Sequence, residues 1–278
     1  MSTLPSFKSP PVTEVVIGSR FEQAARYSVV SVGQLGTQLQ ELGFPTVQEH
    51  PGYDAPTERF GPGAKANQVS LELLTGPPPT RYWFLNDSGD ELLQLQPDWL
   101  AANWRKVTPE AKYGRWDSRW ASFSAWVDRV QAAVSPDKDL EHNQVEVTYV
   151  NHIEPSGVWS SHSEATKVFT FLQQKNGGFL GAPEQMRSDA QFVMTHEGES
   201  VGRLHVTVVP GFRRAPAEPI FMMNLTARGR PLGHGPGGIK RFADLAHEWI
   251  VRGFAELTTS AMHRAWERDD TNHEETES

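Results

Sequence analysis

Apolar and polar positions follow the same order twice along this chain of 278 residues. A β-like run comes first, then leucines spaced as on one helix face, then several β-rich runs, and finally a long amphipathic stripe. After residue 142 the order begins again. Antiparallel strands followed by a long helix are typical of a curved sheet that packs against its helix. The pattern therefore predicts an α+β fold.

The first half contains the clearest individual elements. A strand is predicted at 13–21, and the helix after it is capped by Ser31 and ended by Gly43. Further strands are predicted at 67–74, 81–86, 91–96 and 99–105. The short polar turn at 87–90 joins two of these runs into a hairpin. Helical spacing of apolar residues predicts a long helix from Trp116 to Val134, with Trp120, Phe123 and Val127 on its buried face.

The second half repeats this order. It predicts a strand at 143–153, a short amphipathic helix at 163–173, and strands at 189–195, 203–209 and 219–226. The glycine-rich segment 233–238 leads into a second long helix that buries Phe242, Trp249 and Phe254, and a brief helix follows at 260–266.

These similarities predict two pseudo-repeats, each made of a strand, a helix, antiparallel strands and a long helix. The repeats cover 13–135 and 143–266, with a flexible arm at 1–12 and a disordered acidic tail at 267–278. Their element order resembles the TATA-binding-protein type of unit and, more loosely, other helix-grip folds. Such a likeness concerns the fold and carries no function.

Composition excludes several classes of protein. The chain has no cysteine, which rules out disulfides, thiolate nucleophiles and cysteine-ligated metals. No apolar run approaches the roughly 18 residues of a membrane-spanning helix, and the N-terminus lacks the basic-then-apolar profile of a signal peptide. We therefore expect a cytoplasmic protein without membrane contact. Nine tryptophans favour burial or interaction surfaces, and Trp126 and Trp159 are predicted as interface anchors.

Charge is unevenly distributed along the chain, whose formal net charge is −8. The tail at 267–278 has six acidic residues and one arginine, which is typical of a disordered segment. The stretch 201–252 has seven arginines and one lysine against three acidic residues. This basic stretch leaves open a nucleic-acid-binding function.

Four segments together resemble a known bacterial family. They are PPVTEVVIG at 10–18, RYWFLNDSGDELLQLQPDWLAANWRK at 81–106, NQVEVTYVNHI at 143–153 and AHEWIVRGFAELTTSAMHRAW at 246–266. The chain resembles, over nearly its whole length, an uncharacterised family of "sporadically distributed" bacterial proteins of unknown function. Trp99 and Ala102 depart from its pattern. The resemblance implies a patchy distribution, which is typical of accessory and defence-associated systems, and it transfers no catalytic residue.

Each motif that resembles a catalytic or metal-binding pattern lacks a feature that the pattern requires. His247-Glu248 lacks the second histidine of a zinc protease motif, because position 251 is Val251. The glycine-rich segment before Lys240 lacks the spacing of a phosphate-binding loop. Pro97-Asp98 with a later Glu-x-Lys at 110–112 formally resembles a metal-dependent nuclease, yet its second part has the residues of a loop. No catalytic residue, metal or cofactor is predicted, although histidines at 152, 196, 205, 247 and 263 leave open an enzyme site formed only in three dimensions.

Two groups of residues are the candidate binding positions. Gln94 and Gln96 share one face of a predicted strand. Together with Asn103 and Arg105 of the following predicted strand, they form a solvent-exposed row of amides and an arginine. The second group lies around the glycine-rich segment: Arg228, Arg230, Lys240 and Arg241. The sequence therefore predicts a non-enzymatic binding or regulatory protein that acts through protein–protein contacts, such as a defence-associated antitoxin or immunity-like factor. Nucleic-acid binding through 201–252 and an enzyme with a histidine and carboxylate site are the alternatives.

Overall fold

The alternation in the sequence becomes one large antiparallel sheet in the computed structural model, which describes residues 3–24, 26–54, 56–60, 79–109, 111, 113–172, 179–181, 183–214 and 217–269. The predicted α+β fold is confirmed. The strands are β1 (Ser6–Phe7), β2 (Val12–Phe21), β3 (Thr46–Pro51), β4 (Thr80–Leu85), β5 (Glu91–Gln96), β6 (Trp99–Arg105), β7 (His142–Ile153), β8 (Ser188–His196), β9 (Glu199–Phe212), β10 (Pro219–Gly229) and β11 (Arg268–Asp269). The helices are α1 (Val29–Glu41), α2 (Trp116–Val134), α3 (Ala165–Val168), α4 (Gly235–Leu257) and α5 (Ser260–Ala265), and a 3-10 turn covers His162–Glu164.

Among the described residues, nine strands form the main sheet in the order β3-β4-β5-β6-β2-β7-β10-β9-β8. All neighbouring strands are antiparallel. The first long strand of each half, β2 or β7, lies at the centre, where the two strands pair with each other. Each of them pairs on its other side with the last strand of its own half, β6 or β10.

The helices cover one face of this sheet. There α2 packs on β6 and β2, and α4 packs on β7, β10 and β9. Ile17 of β2 and Val147 of β7 lie opposite each other and share a single apolar core with Phe123 of α2 and Phe242 of α4. Burial of apolar surface in this layer is the main stabilising contribution to the fold.

One glycine of β10 allows the close approach of α4. A Cβ atom at Gly229 would lie 2.6 Å from Cε2 of Phe242 and 2.2 Å from the carbonyl oxygen of Val201. Only a residue without a side chain fits between the phenyl ring and the neighbouring strand.

Several elements differ from the prediction. Ser28, not Ser31, caps α1, because Ser28 and Ser31 form a reciprocal capping box at distances of 3.2 and 2.9 Å. The helix expected at 163–173 is only the 3-10 turn followed by α3. The edge strand β3 was not predicted, and the strand predicted at 67–74 lies outside the described residues.

The burial of several tryptophans also differs from the prediction. Trp159 is buried against Phe221 and is not an interface anchor, so that prediction was wrong. Trp126 is half-buried against Phe44. The predicted core residues Trp120 and Trp249 are only half-buried.

The predicted arm at 1–12 is bound near its middle, since β1 pairs with β11. Phe7 contacts the rings of Phe254 and Trp266. Residues 270–278 of the predicted acidic tail lie outside the described residues. Within the part of the chain that the structure describes, a membrane could not be crossed by any helix, since none is both long and apolar enough.

Candidate functional site

The face of the sheet opposite the helices, here called the open face, has mostly polar side chains. Pairing between strands arranges them in two rows that run across the sheet. The first row contains Gln96, Trp99, Arg20 and Gln144, on β5, β6, β2 and β7. The second row contains Gln94, Ala101, Gly18, Glu146, Arg228 and Arg203, and reaches from β5 to β9.

The structure places five of the predicted binding residues on this face. Gln94 and Gln96 alternate with the buried Leu93 and Leu95, as the pattern of β5 predicted. The other three lie on the same face: Asn103, Arg105 and Arg228.

The remaining three predicted residues lie elsewhere. Arg230 follows the end of β10 and pairs with the exposed Glu199. Lys240, in the first turns of α4, pairs with Asp244 at 2.5 Å. Arg241 donates to the carbonyl oxygen of Leu232. The cluster expected around the glycine-rich segment is therefore divided between Arg228 on the open face and three cations beyond it.

The predicted solvent exposure of the amide row was wrong, because Gln94, Gln96 and Asn103 are all buried. Gln94 Nε2 donates to Asn103 Oδ1 at 2.9 Å, and Asn103 Nδ2 donates to Glu14 Oε1 at 2.6 Å. These bonds satisfy the amides within the face itself.

The described residues of 52–60, here called the crossing segment, lie over the first row. Gln96, only 3% exposed, accepts from the backbone N–H of Tyr53 at 2.9 Å and donates to the carbonyl oxygen of the same residue at 2.8 Å. The Tyr53 ring contacts Trp99, whose indole lies over Gly18. A Cβ atom at Gly18 would be 2.3 Å from Cζ2 of Trp99, so this position requires glycine.

A second glutamine binds the other end of the crossing segment. Gln144, 2% exposed, accepts from the backbone N–H of Glu58 at 2.9 Å and donates to the carbonyl oxygen of Pro56 at 2.8 Å. Between the two glutamines, Arg20 donates to Thr57 Oγ1 at 2.9 Å. Gln96 and Gln144 are three strands apart, about 14 Å, which an extended chain covers in about four residues. The two glutamines therefore bind the main chain of the crossing segment as they would bind an extended peptide, and contacts of its side chains add to these bonds.

A charged cluster lies where the crossing segment reaches the second row. Glu58, with a side chain 8% exposed, accepts from Arg203 at 2.6 Å and contacts His205 Nε2 at 2.5 Å and Arg228 at 3.4 Å. Arg228 also donates through Nε to Glu146 at 2.5 Å. Burial alone would raise the pKa of Glu58, but the bonds from His205 and Arg203 outweigh it and lower this pKa below its ordinary value.

A third group on the open face surrounds Trp83 of β4. The ring centroids of Trp83 and His50 are 4.0 Å apart. The guanidinium carbons of Arg81 and Arg105 lie 5.5 and 6.0 Å from the centroid of the Trp83 ring. Burial lowers the pKa of Arg81. Arg105 donates through Nη2 to the carbonyl oxygen of Gly89. Nε of Arg81, Nε1 of Trp83 and Nε of Arg105 are buried without an acceptor among the described residues.

Two other histidines, His142 and His247, contact neighbouring side chains. His142 Nδ1 lies 2.7 Å from Ser19 Oγ, and that hydroxyl donates to the carbonyl oxygen of Gln144. Nδ1 is therefore the donor, since a hydroxyl has one proton. His247 stacks on Trp116, and burial lowers its pKa to about 4, as it does for His142. No group of three metal-ligating side chains occurs among the described residues.

The nuclease-like pattern is only partly described. Asp98 pairs with Arg20 and accepts from Gln96. Glu110 and Lys112 lie outside the described residues.

Sequence reasoning found Gln96 and Arg228 but missed the other residues of the open face that bind the crossing segment. Gln144 and Glu146 alternate with the buried Val145 and Val147, and the polar half of this alternation was an available signal. Arg203 and His205 show the same alternation on β9. Glu58 lies in an irregular segment and had no such signal.

Comparison with known proteins adds no relative: no family model, no curated protein and no solved structure matches this chain.

Proposed function

We propose that the chain is a non-enzymatic binding protein that binds an extended segment of a protein partner on the open face of its sheet. One observation supports this most directly: Gln96 and Gln144 each bind both a donor and an acceptor of the crossing segment's main chain. Bonds to the main chain give affinity for an extended peptide whatever its sequence, and neighbouring side-chain sites add specificity.

The crossing segment supplies the template for this binding mode. Its contacts with the first row are a small number of polar bonds and one ring contact. A typical hydrogen bond contributes only about 1 kcal/mol net. A partner segment that makes the same bonds would therefore compete with the crossing segment for this face.

Selection of random peptides on the purified protein tests this function. We expect enriched peptides whose affinity falls at least about tenfold, equivalent to about 1.4 kcal/mol, in the double variant Gln96→Leu, Gln144→Leu. Gln38→Leu is the matched control, because Gln38 is exposed on α1, on the helix-covered side of the sheet. A selection without binders, or binders equally tight on the double variant, would refute the proposal.

We also propose that the two halves are an internal duplication of the TATA-binding-protein type. From the centre outwards the strands run β2, β6, β5, β4 in one half and β7, β10, β9, β8 in the other. In each half a long helix, α2 or α4, packs on the central strand. The extra edge strand β3 distinguishes the first half. Superposition of 12–135 on 143–260 tests this relation, and a different path of the strands would reject it.

The resemblance to sporadically distributed bacterial proteins is the basis for proposing a defence-associated partner, such as a toxin that this chain neutralises. The identity of the neighbouring gene tests that part. A housekeeping gene in that place, with no toxin or nuclease nearby, would remove it.

Nucleic-acid binding through 201–252 gains little support from the contacts. Most of its cations pair with carboxylates, including Arg203 with Glu58, Arg213 with Glu154 and Arg252 with Glu248. Paired cations contribute less to phosphate binding. Retention on DNA or RNA that falls steeply with salt would favour this alternative.

One contact supports the enzyme alternative. His205 lies beside a carboxylate, and such pairs serve in general acid–base catalysis. That carboxylate belongs to Glu58 of the crossing segment, and it is already bound by Arg203. We therefore assign this pair to binding.

A further inference from the structure

The charged end of the open face has the composition of an anion site built into the sheet. Arg203 and His205 project from β9, and Arg228 projects from β10. Their bonds converge on the two carboxylate oxygens of one side chain, Glu58. These three residues belong to regular strands, whereas the acid lies on the irregular crossing segment.

The charges around this point balance only while an acid is present. The carboxylates of Glu58 and Glu146 face the guanidinium groups of Arg203 and Arg228. Glu146 binds Nε of Arg228. Removing Glu58 would leave Arg203 and His205, whose side chains are 19% and 24% exposed, without the carboxylate that they contact. A partly enclosed guanidinium group that loses its carboxylate is unfavourable, so the site favours an anion, whichever chain provides it.

From these contacts we infer that Arg203, His205 and Arg228 form a carboxylate-binding site for an acidic side chain of the partner segment, and that Glu58 occupies this site in the free chain. The inference rests on the proposed function, since it presumes that the partner displaces the crossing segment. It adds the chemistry of recognition: the glutamines bind the main chain, and the site of Arg203, His205 and Arg228 selects an acidic side chain on the residue whose backbone N–H donates to the second glutamine.

A peptide of the chain's own crossing segment tests the site without knowledge of the partner. The probe is a labelled peptide of sequence GYDAPTERF, residues 52–60, and its twin has glutamine in place of the glutamate. Binding is measured to the full chain with Glu58→Gln, in which the intramolecular acid is neutral but its shape is kept. The matched control is Glu199→Gln, which removes the same charge from the exposed pair with Arg230.

We expect the glutamate peptide to bind the Glu58→Gln chain at least about tenfold more tightly than it binds the unaltered or Glu199→Gln chain, as loss of a charged hydrogen bond implies. The glutamine peptide should lose that advantage. Adding Arg203→Met to Glu58→Gln should abolish the preference for glutamate. Thermal unfolding of every variant establishes that the chain is folded, and Glu58→Ala replaces Glu58→Gln if the latter unfolds.

Two results would overturn the inference. Equal binding of both peptides to the Glu58→Gln chain would show that no carboxylate is selected, while main-chain binding through the glutamines would still stand. No binding of either peptide to a folded Glu58→Gln chain would show that the site does not accept a segment in trans. Peptide selection, which requires no acidic residue, decides the proposed function separately.

Discussion

The two faces of the central sheet differ in the charge of the titratable groups that they enclose. On the helix-covered face, apolar side chains such as Ile17 and Phe242 form one continuous core. Burial lowers the pKa of His247 on this face, which favours the neutral imidazole. On the open face, the Glu58 side chain is 8% exposed, yet its bonds lower its pKa and keep the carboxylate charged. Burial alone therefore does not decide a group's charge. The helix-covered face is held together by apolar contacts, whereas the open face consists of polar and charged groups that bind one another and the crossing segment.

The largest test of this difference is removal of a core aromatic from the helix-covered face. Phe242→Ala should reduce the free energy of unfolding by about 3–5 kcal/mol, because the Phe242 ring is fully buried against Gly202 and Gly229. Chemical denaturation measures this loss. Trp120→Ala serves as the comparison: Trp120 is half-buried, so its effect should be smaller. An equal loss at both positions would contradict the assigned core.

Two half-buried histidines, His142 and His247, predict a pH dependence of the same face. Burial lowers the pKa of His142 and His247 from 6.5 to about 4. The unfolded chain therefore takes up protons first, and stability should fall as the pH drops from about 6.5 to 4, by on the order of 3 kcal/mol per histidine. Denaturation at several pH values measures this slope. His247→Gln should reduce it, whereas the same substitution at the exposed His196 should not.

A glycine substitution tests how tightly α4 packs on the sheet. Gly229→Ala should cost about 1–3 kcal/mol, since its Cβ atom would overlap Val201 and Phe242. Gly33→Ala in α1 is the matched control, because a Cβ atom there meets nothing within 4 Å. Alanine should stabilise that helix position by up to about 1 kcal/mol. Thermal unfolding distinguishes the two, and effects of the same sign would contradict this packing.

Acid should weaken the contacts of Glu58 on the open face at a lower pH than the one at which it protonates His142 and His247. Arg203, His205 and Arg228 face Glu58, whose pKa is lowered from 4.5. The contribution of these contacts is therefore present above about 4.5, the pKa expected in the unfolded chain, and is lost as the pH falls through the lower folded value. Limited proteolysis of the crossing segment with an acid-active protease measures its release. Glu58→Gln should remove this pH dependence, and a pH dependence that persists would contradict it.

The smallest expected effect concerns the glutamines of the first row. Gln144→Leu should cost about 1 kcal/mol of stability, but it should clearly increase hydrogen exchange at the backbone amide of Glu58, whose acceptor it removes. The exchange of core amides on β7 should change little. Unchanged protection at Glu58 would show that other contacts bind the crossing segment.

The helix-covered face could be predicted from the sequence because its signal is local. The stripe of α2 and the alternation of Leu93 and Leu95 with glutamines depend only on side-chain period. The cap of α1 was misplaced because Ser28 and Ser31 are both good capping residues, and only the backbone geometry shows which one begins the helix.

The open face was only half predictable. Gln94, Gln96, Asn103 and Arg105 were found from strand periodicity, but their burial depends on contacts within the face and on a segment that the sequence shows only as irregular. The position of Glu58 beside Arg203, His205 and Arg228, which lie 145 to 170 residues away in the sequence, is a product of tertiary structure. Local patterns contain no information about such a contact.

The pairing of β2 with β7 has a consequence for how the chain could be divided. A break between α2 and β7 would leave each piece with its own long helix and with an unpaired central strand edge. Such an edge is a template for a complementary strand, and the strand it matches best, by register and apolar pattern, is the one in the other piece. Fragments 1–138 and 139–278 should therefore reassemble when they are produced together, so that the chain could be used as a split protein.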